Sequence, residues 1–567
     1  MYRLLFSFLL LFYVRTLSAQ FFPATEYPKN LFRDPLNIPI SLAANFGELR
    51  ANHYHMGLDI RTEHRENLPV FAAADGYVYR IKIEPFGFGQ AIYIRHAGGY
   101  TTLYAHLNAF YPALATWVKQ KQYEKESWAL TLEPPPGMFS VKKGDLIAYS
   151  GNRGGSQGPH LHFEIRTDPE DINLNPLLFG LPVQDNVAPV FRSMAVYDRN
   201  KSFYEQTPYF IPLKGRTGRY DIGRPVLVCK TANPGFGISG FDTQTGSKNP
   251  NGIYEGIIYD QGRAVSGFQM NRISYEQTRG INAHIDYPTH ASGGPYYQLL
   301  FRMPGYTHSI YREAYPGAAI QLGDGQVHNI RIELFDAFGN KSILEFKVRY
   351  QPEGQTEKLF PGKMFYPGMT DGWEAPSAEF FLGPNCLYDS LHLNYQELAG
   401  QGQDGLSSIH QFGNSRVPLA DTMTVRIKLT QFVKQKKKVL MQWTDGLDSE
   451  VRKPDWLGDW ATASFRSFGN FSLVLDTVPP VIKIPGVAEN ANLQHSNRLV
   501  VLVQDNYKGI RNFRATLDGH WLLFTNDKAK AYLYQFDDHC PPGRHELNIY
   551  AEDEAGNSST ATLHFLK

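Results

Sequence analysis

His160-Leu161-His162-Phe163-Glu164-Ile165 alternates without a break between polar and apolar side chains. Successive residues of an extended chain point to opposite faces. The pattern therefore predicts a strand with His160, His162 and Glu164 on one side and Leu161, Phe163 and Ile165 on the other. A strand of this kind buries its apolar face in a core and offers two imidazoles to a groove. Glu164 could accept a hydrogen bond from one of them, although a solvated charge would fit the same position.

Three further stretches supply matching chemistry: His55-Met56-Gly57-Leu58-Asp59, Tyr104-Ala105-His106-Leu107 and Gly158-Pro159-His160. His55 and Asp59, four apart, share a face on a strand or a helix, and Gly57 between them lets the backbone come close to a metal or substrate. A catalytic zinc takes three protein ligands from imidazole and carboxylate and keeps a fourth position open. His55, Asp59 and His162 meet that requirement. Water on such a metal ionises near a pKa of roughly 7 and can attack an amide. His106 and His160 are left to move a proton or to donate a hydrogen bond to the developing oxyanion. Each fragment alone is weak: with 18 His in 567 residues, a His-x-His triplet arises by composition about 0.6 times. A second one exists, His53-Tyr54-His55, in which His53 is read as a bystander. The reading rests on the ordered occurrence of all the pieces in one window.

The run from Phe46 to Arg166 resembles the lysostaphin-type zinc endopeptidases, or LytM-like domains. The matching text is NHYHMGLDI from Asn52, PVFAAADGYVYR from Pro69, GFGQAIYIRHAGGYTTLYAHL from Gly87 and VKKGDLIAYSGNRGGSQGPHLHFEIR from Val141. That family hydrolyses peptide bonds in the stems or cross-bridges of peptidoglycan. Carried over by motif position, the resemblance implies that His55, Asp59 and His162 hold one Zn2+ and that His106 and His160 are the catalytic imidazoles. It implies peptidoglycan as the partner. All five residues are present, whereas relatives that have lost ligands act as binding or activating proteins. His96, in IRHAGGY, is read as a structural histidine. The stretch from Asn108 to Ser140 departs from the family by its length. Part of it could form a short amphipathic helix ended by Pro134-Pro135-Pro136, serving as a wall or lid of the groove or as a surface elaboration.

The N-terminus has Arg3, an apolar run from Leu4 to Val14 and Leu17-Ser18-Ala19 before Gln20. This predicts a signal peptide over 1–19 and a periplasmic or extracellular protein with no stable membrane span in the mature chain. Basic and acidic residues number 56 and 55, which leaves no electrostatic footprint for nucleic acid. The three cysteines, Cys229, Cys386 and Cys540, fall in three different expected modules, so a disulfide framework within domains is not expected.

The remainder reads as β structure, with alternating runs such as Arg498 to Gln504 and Thr422 to Leu429 set between Gly, Asn, Asp and Pro. An internal repeat organises it. Asp185-Asn186-Val187-Ala188-Pro189-Val190 is echoed by Asp476-Thr477-Val478-Pro479-Pro480-Val481, and HNIRIELFDAFGNKS from His328 by HELNIYAEDEAGNSS from His545. Each closing segment predicts strand, tight turn and final strand. These units resemble bacterial immunoglobulin-like β-sandwich modules. The expected class is mainly all-β: an antiparallel metallopeptidase domain with a groove at 20–183, a sandwich-like module with insertions at 184–351, a diverged β module at 352–475 and an immunoglobulin-like sandwich at 476–567. The functional expectation is a secreted zinc endopeptidase of cell-wall peptide. Its alternatives are a non-catalytic wall-binding or activator protein using the same groove, and an adhesion protein whose sandwiches do the main job.

Overall fold

The alternating run at 160–165 is the centre of an antiparallel sheet in the computed structural model, which describes residues 20–216, 218–352, 359–400, 405–507 and 509–567. The expected signal segment, 1–19, lies outside the described residues. Strands β1 (Leu42–Ala44), β2 (Leu58–Arg61), β3 (Gly76–Ile83), β4 (Gln90–His96) and β5 (Tyr100–Ala105) precede helix α1 (Pro112–Glu124), and strands β6 (Leu130–Leu132) and β7 (His160–Thr167) follow it. Across the sheet the order is β1-β2-β7-β5-β4-β3-β6. Leu161, Phe163 and Ile165 are fully buried with Leu58, Ile60 and Tyr104 in one core. Register does the rest: His162 lies opposite Asp59 on β2 and opposite Ala105 on β5. Opposed residues share a face, so pairing three strands brings Asp59, His162 and the end of β5 that carries His106 together.

The insertion differs from expectation. Pro112 starts α1, since it lacks the N–H that the first turn leaves unpaired anyway. Leu114 and Val118 pack into the core. The helix stops at Lys125, well before the proline run, and the chain then forms β6, which pairs with β3.

The rest of the molecule is β-rich, as expected. Residues 190–350 form two sheets around one core, with short helical turns at Tyr275–Gly280, Ile281–His284 and Tyr287–Ala291 as the insertion. Both echoed closing segments form hairpins, His328–Phe335 with Lys341–Tyr350 and Arg544–Asp553 with Ser558–Leu566. Residues 365–475 and 493–565 have separate cores. The boundary expected at 183/184 is not a clean one. Phe46, Tyr54 and Met56 are buried in the core of the second module, and Asn173–Leu174 pairs with Arg272–Ile273 across the junction. Local patterning assigned 46–56 to the first domain, but its apolar side chains find their partners more than a hundred residues downstream. All three cysteines are free and buried. No helix among the described residues is long and apolar enough to cross a membrane.

Candidate metal centre and active site

Three elements supply the donors. His55 opens the loop between the short strand His53–Tyr54 and β2, Asp59 lies on β2, and His162 faces it from β7. His55 Nε2 is 2.9 Å from Asp59 Oδ1 and 3.0 Å from His162 Nδ1, and His162 Nδ1 is 2.8 Å from Asp59 Oδ1. The triangle is slightly tighter than a face of a zinc tetrahedron, whose edges at bond lengths of ~2.0–2.1 Å are about 3.3 Å. The opposite nitrogen of each ring is engaged. His55 Nδ1 donates to the Asn45 carbonyl at 2.8 Å, and His162 Nε2 donates to Glu164 Oε1 at 2.8 Å. Each ring is thereby oriented with its other nitrogen aimed at Asp59.

Two nitrogens and a carboxylate oxygen at this distance repel unless a cation or proton lies between them. Burial works against charge on His162, but Asp59 and Glu164 outweigh it and hold the imidazole up to about 9. Burial pushes His55 down to about 4. The Asp59 carboxyl is held well below its usual range: burial alone would raise it, and His55, His160 and His162 override that. The donor set, two imidazole nitrogens and a carboxylate oxygen, fits a divalent, nitrogen-preferring ion such as zinc.

The supports reach far from the motifs. Glu164, at 0 % exposure, accepts from His162 Nε2, Asn173 Nδ2 (2.7 Å), Arg166 Nε (2.6 Å) and the Tyr275 hydroxyl (2.6 Å). The alternative of a solvated charge is thereby excluded. Tyr275 comes from the second module and covers the polar face of β7 that the alternation had left open. Arg50 Nη2 holds Asp59 Oδ2 at 2.5 Å, leaving Oδ1 for the triangle. Asn45 is itself tied to Gly252 of the second module by two hydrogen bonds of 2.8 Å. A Cβ at Gly57 would lie 2.4 Å from the Phe163 carbonyl and 3.1 Å from His162 Nε2, so only glycine permits the approach of this turn to β7.

His106 and His160 stand beside the triangle, their ring centres 4.7 Å apart, with His106 5.8 Å from His162. His106 sits at φ +60°, in the left-handed region, a strained conformation for a non-glycine residue. Its Nδ1 donates to the Arg153 carbonyl at 2.7 Å, which turns Nε2 toward the cleft. Burial, with His160 and His162 adjacent, pushes it down to about 3, so it is neutral across the physiological range. His160 Nδ1 lies 2.8 Å from the Gly158 carbonyl, and Nε2 is 3.3 Å from Asp59 Oδ1. The cleft onto which they open has a volume of about 1080 Å³ and is lined further by Arg61, Lys82, Phe88 and Tyr275. His53 is exposed on its rim. His96 is elsewhere in the core, bonded to the Asp75 carbonyl and to Thr102 Oγ1.

The long insertion forms neither lid nor idle surface. Tyr123 of α1 stacks on His539 with ring centres 3.7 Å apart, and Lys119 pairs with Asp537 at 2.6 Å. The last module docked there reaches the cleft wall, where Asp527 Oδ1 accepts from Gly154 N at 2.8 Å and Lys528 Nζ donates to the Ser156 carbonyl. The loop so held carries Arg153, whose carbonyl orients His106.

Sequence patterning located the five side chains that converge here but missed Arg50, Asn45 and Tyr275. Nothing local marks them, because each acts through a contact formed only in the fold.

Comparison with known proteins places residues 53–123 and 138–176 in the peptidase family M23, with His55, Asp59 and His162 intact, and residues 363–476 in a Zu5-like domain. The chain therefore carries an M23 peptidase domain near its N-terminus and further β domains after it. The DD-carboxypeptidase/endopeptidase Mpg of Neisseria meningitidis is 34% identical over 131 residues, 23% of this chain and 24% of that protein. The peptidoglycan DD-endopeptidase ShyC of Vibrio cholerae is 32% identical over 114 residues, 20% of each chain. The match thus spans about a quarter or less of these relatives. The catalytic domain of lysostaphin from Staphylococcus simulans aligns over 24% of this chain and 87% of that one, at 21% identity and a TM-score of 0.18.

Proposed function

We propose that the protein is an exported zinc endopeptidase that hydrolyses peptide bonds in peptidoglycan. The observation that carries the reading is the convergence of a three-donor triangle with two further imidazoles at the base of an open cleft. His55, Asp59 and His162 would hold the zinc, which when bound activates water and polarises the scissile carbonyl. His106 takes the proton from the attacking water through its free Nε2 and passes it to the leaving amine. His160, its ring centre 4.7 Å from that of His106, stands beside the developing oxyanion. Arg50 fixes Asp59, and Arg61 offers positive charge to carboxylates of a peptide substrate along the cleft.

The flanking modules, including the two repeat units read as immunoglobulin-like sandwiches, act as more than spacers. Asn45 and Glu164 each hold a ligand imidazole, and both are secured by residues of the second module. Export fits the N-terminal pattern of 1–19 and the cell-wall substrate. The test is digestion of isolated peptidoglycan by the purified full chain, reading released amines with and without a chelator and after zinc is restored. Zinc-dependent release supports the reading. Binding to the wall without release under any metal condition would favour the non-catalytic alternative.

A further inference from the structure

The internal repeat brings a second kind of donor set together twice. In the first unit the carboxylates of Asp185, Asp242 and Asp336 offer oxygens within 4.8 Å of one another, and in the last unit Asp476, Asp505 and Asp553 do the same. The correspondence extends to the supports. Asp185 Oδ1 accepts from Val187 N and Asp476 Oδ1 from Val478 N. Asn340 Nδ2 donates to Asp336 Oδ2 and to the Asp185 carbonyl, and Asn557 Nδ2 donates to Asp553 Oδ2 and to the Asp476 carbonyl. In each unit the first aspartate lies on the incoming linker, the second after a sheet strand and the third in the D-x-x-G-N turn.

Three carboxylates in contact are costly unless something opposes them. Hydrogen bonds account for part of each cluster, but one carboxylate oxygen in the first and two in the second, Asp505 Oδ1 among them, are buried with no partner. Asp242 is 4 % exposed and its Oδ1 has none, and Asp476 is 1 % exposed and its Oδ2 has none. Burial, followed by Asp336 and Asp185, pushes the Asp242 carboxyl up to about 8, the response of an acidic group lacking a countercharge. Lys438 lies beside the second cluster, but its Nζ donates to the Gly556 carbonyl.

We propose that Asp185, Asp242 and Asp336, and separately Asp476, Asp505 and Asp553, each bind one hard divalent cation of the calcium class. All the donors are oxygens, which excludes the preferences of zinc and copper. Calcium–oxygen bonds of about 2.3–2.6 Å let ligand oxygens lie up to about 5 Å apart around one ion, which matches the observed spread. Each ion ties a linker to the closing turn of its module. It therefore stiffens the joint after the peptidase domain and the joint before the last module, the one that docks on the cleft wall.

The experiment uses the full chain stripped of metal, titrated calorimetrically with calcium chloride, and melted with and without about 10 mM of the salt, enough to fill sites of extracellular affinity. Two equivalents per chain and a melting temperature raised by several degrees are expected. Asp242→Asn and Asp505→Asn should each remove one equivalent, and the double variant should remove both along with the calcium-dependent rise. His162→Ala should keep both, which separates these sites from the zinc centre. Without calcium the Asn variants should melt no lower than wild type, because repulsion has been relieved. No calcium uptake by the wild type, or uptake unchanged in the double variant, overturns the proposal. So does an equal loss of stability in the variants with and without calcium. A single equivalent overturns it for the cluster whose variant leaves uptake unchanged. The wild-type titration decides even if a variant misfolds.

Discussion

Glu164→Gln tests whether the centre depends on the buried group behind His162. The carboxylate meets only donors, with His162 and Tyr275 on one oxygen and Arg166 and Asn173 on the other. An amide must turn its NH2 toward one of these pairs, so either His162 loses its acceptor or the nearly buried Arg166 guanidinium does. Burial alone would raise the Glu164 carboxyl, but Arg166, His162 and Tyr275 outweigh it and hold it down to about 2 from its ordinary 4.5. That difference corresponds to about 3 kcal/mol. The group has a depressed folded pKa, so this stabilisation is complete above about 4.5 and is lost as the pH falls through about 2. Breaking a buried ion pair costs ~3–5 kcal/mol. Asp171 still holds Arg166 Nη1 at 2.9 Å, which places the variant at the low end, about 3 kcal/mol. For a domain of this size that lowers the corresponding melting transition by about 6–12 °C. Zinc affinity should fall about 10- to 100-fold, the usual effect of removing an acceptor behind a ligand imidazole. Calorimetric melting and competition with a chelator at neutral pH read both quantities. An affinity within about twofold of wild type, with an unmoved transition, would refute this role for Glu164.

Gly57→Ala drives a methyl into the Phe163 carbonyl and toward His162, so the purified variant should contain little zinc by elemental analysis, while a normal zinc content would contradict the close approach. Zinc binding must displace the proton that the metal-free site holds on His162 up to about 9, whereas His55, pushed down to about 4, needs none displaced at neutral pH. The logarithm of the affinity should therefore rise by about one per pH unit between about 5 and 8, and a flat profile in the same chelator competition would contradict it. A chain ending at residue 183 exposes Phe46, Tyr54 and Met56, each worth ~1.5–3 kcal/mol of burial, and removes Tyr275 and Gly252 from behind the ligands. It should lose both zinc and soluble yield. A stable, zinc-loaded fragment would show that the modules are independent.

The five side chains that converge at the site were legible because the sheet brings short motifs together through simple rules. The period-two alternation at 160–165 fixed the face of His162, and the four-residue spacing of His55 and Asp59, with Gly57 between them, put both on one face. The closing hairpins of the repeat followed from their turn residues. The buried state of Glu164 was not legible, because it depends on Tyr275, which is 111 residues away and in another module. The same is true of 46–56, whose apolar residues belong by sequence to one domain and by packing to the next. The end of α1 was misplaced because the proline run is a strong stop signal, yet the chain leaves the helix earlier to pair β6 with β3. Where the insertion docks was not legible either, because Tyr123 and Lys119 meet His539 and Asp537 of the last module.

The central claim is that His55, Asp59 and His162 hold one catalytic metal while His106 acts beside it on the substrate. Metal content and peptidoglycan digestion measured together on wild type, His162→Ala and His106→Ala test it most directly. The account predicts one zinc per chain at the triangle and amine release for wild type, neither for His162→Ala, and retained zinc without release for His106→Ala. Amine release by metal-free protein, or full zinc and activity in His162→Ala, would contradict it.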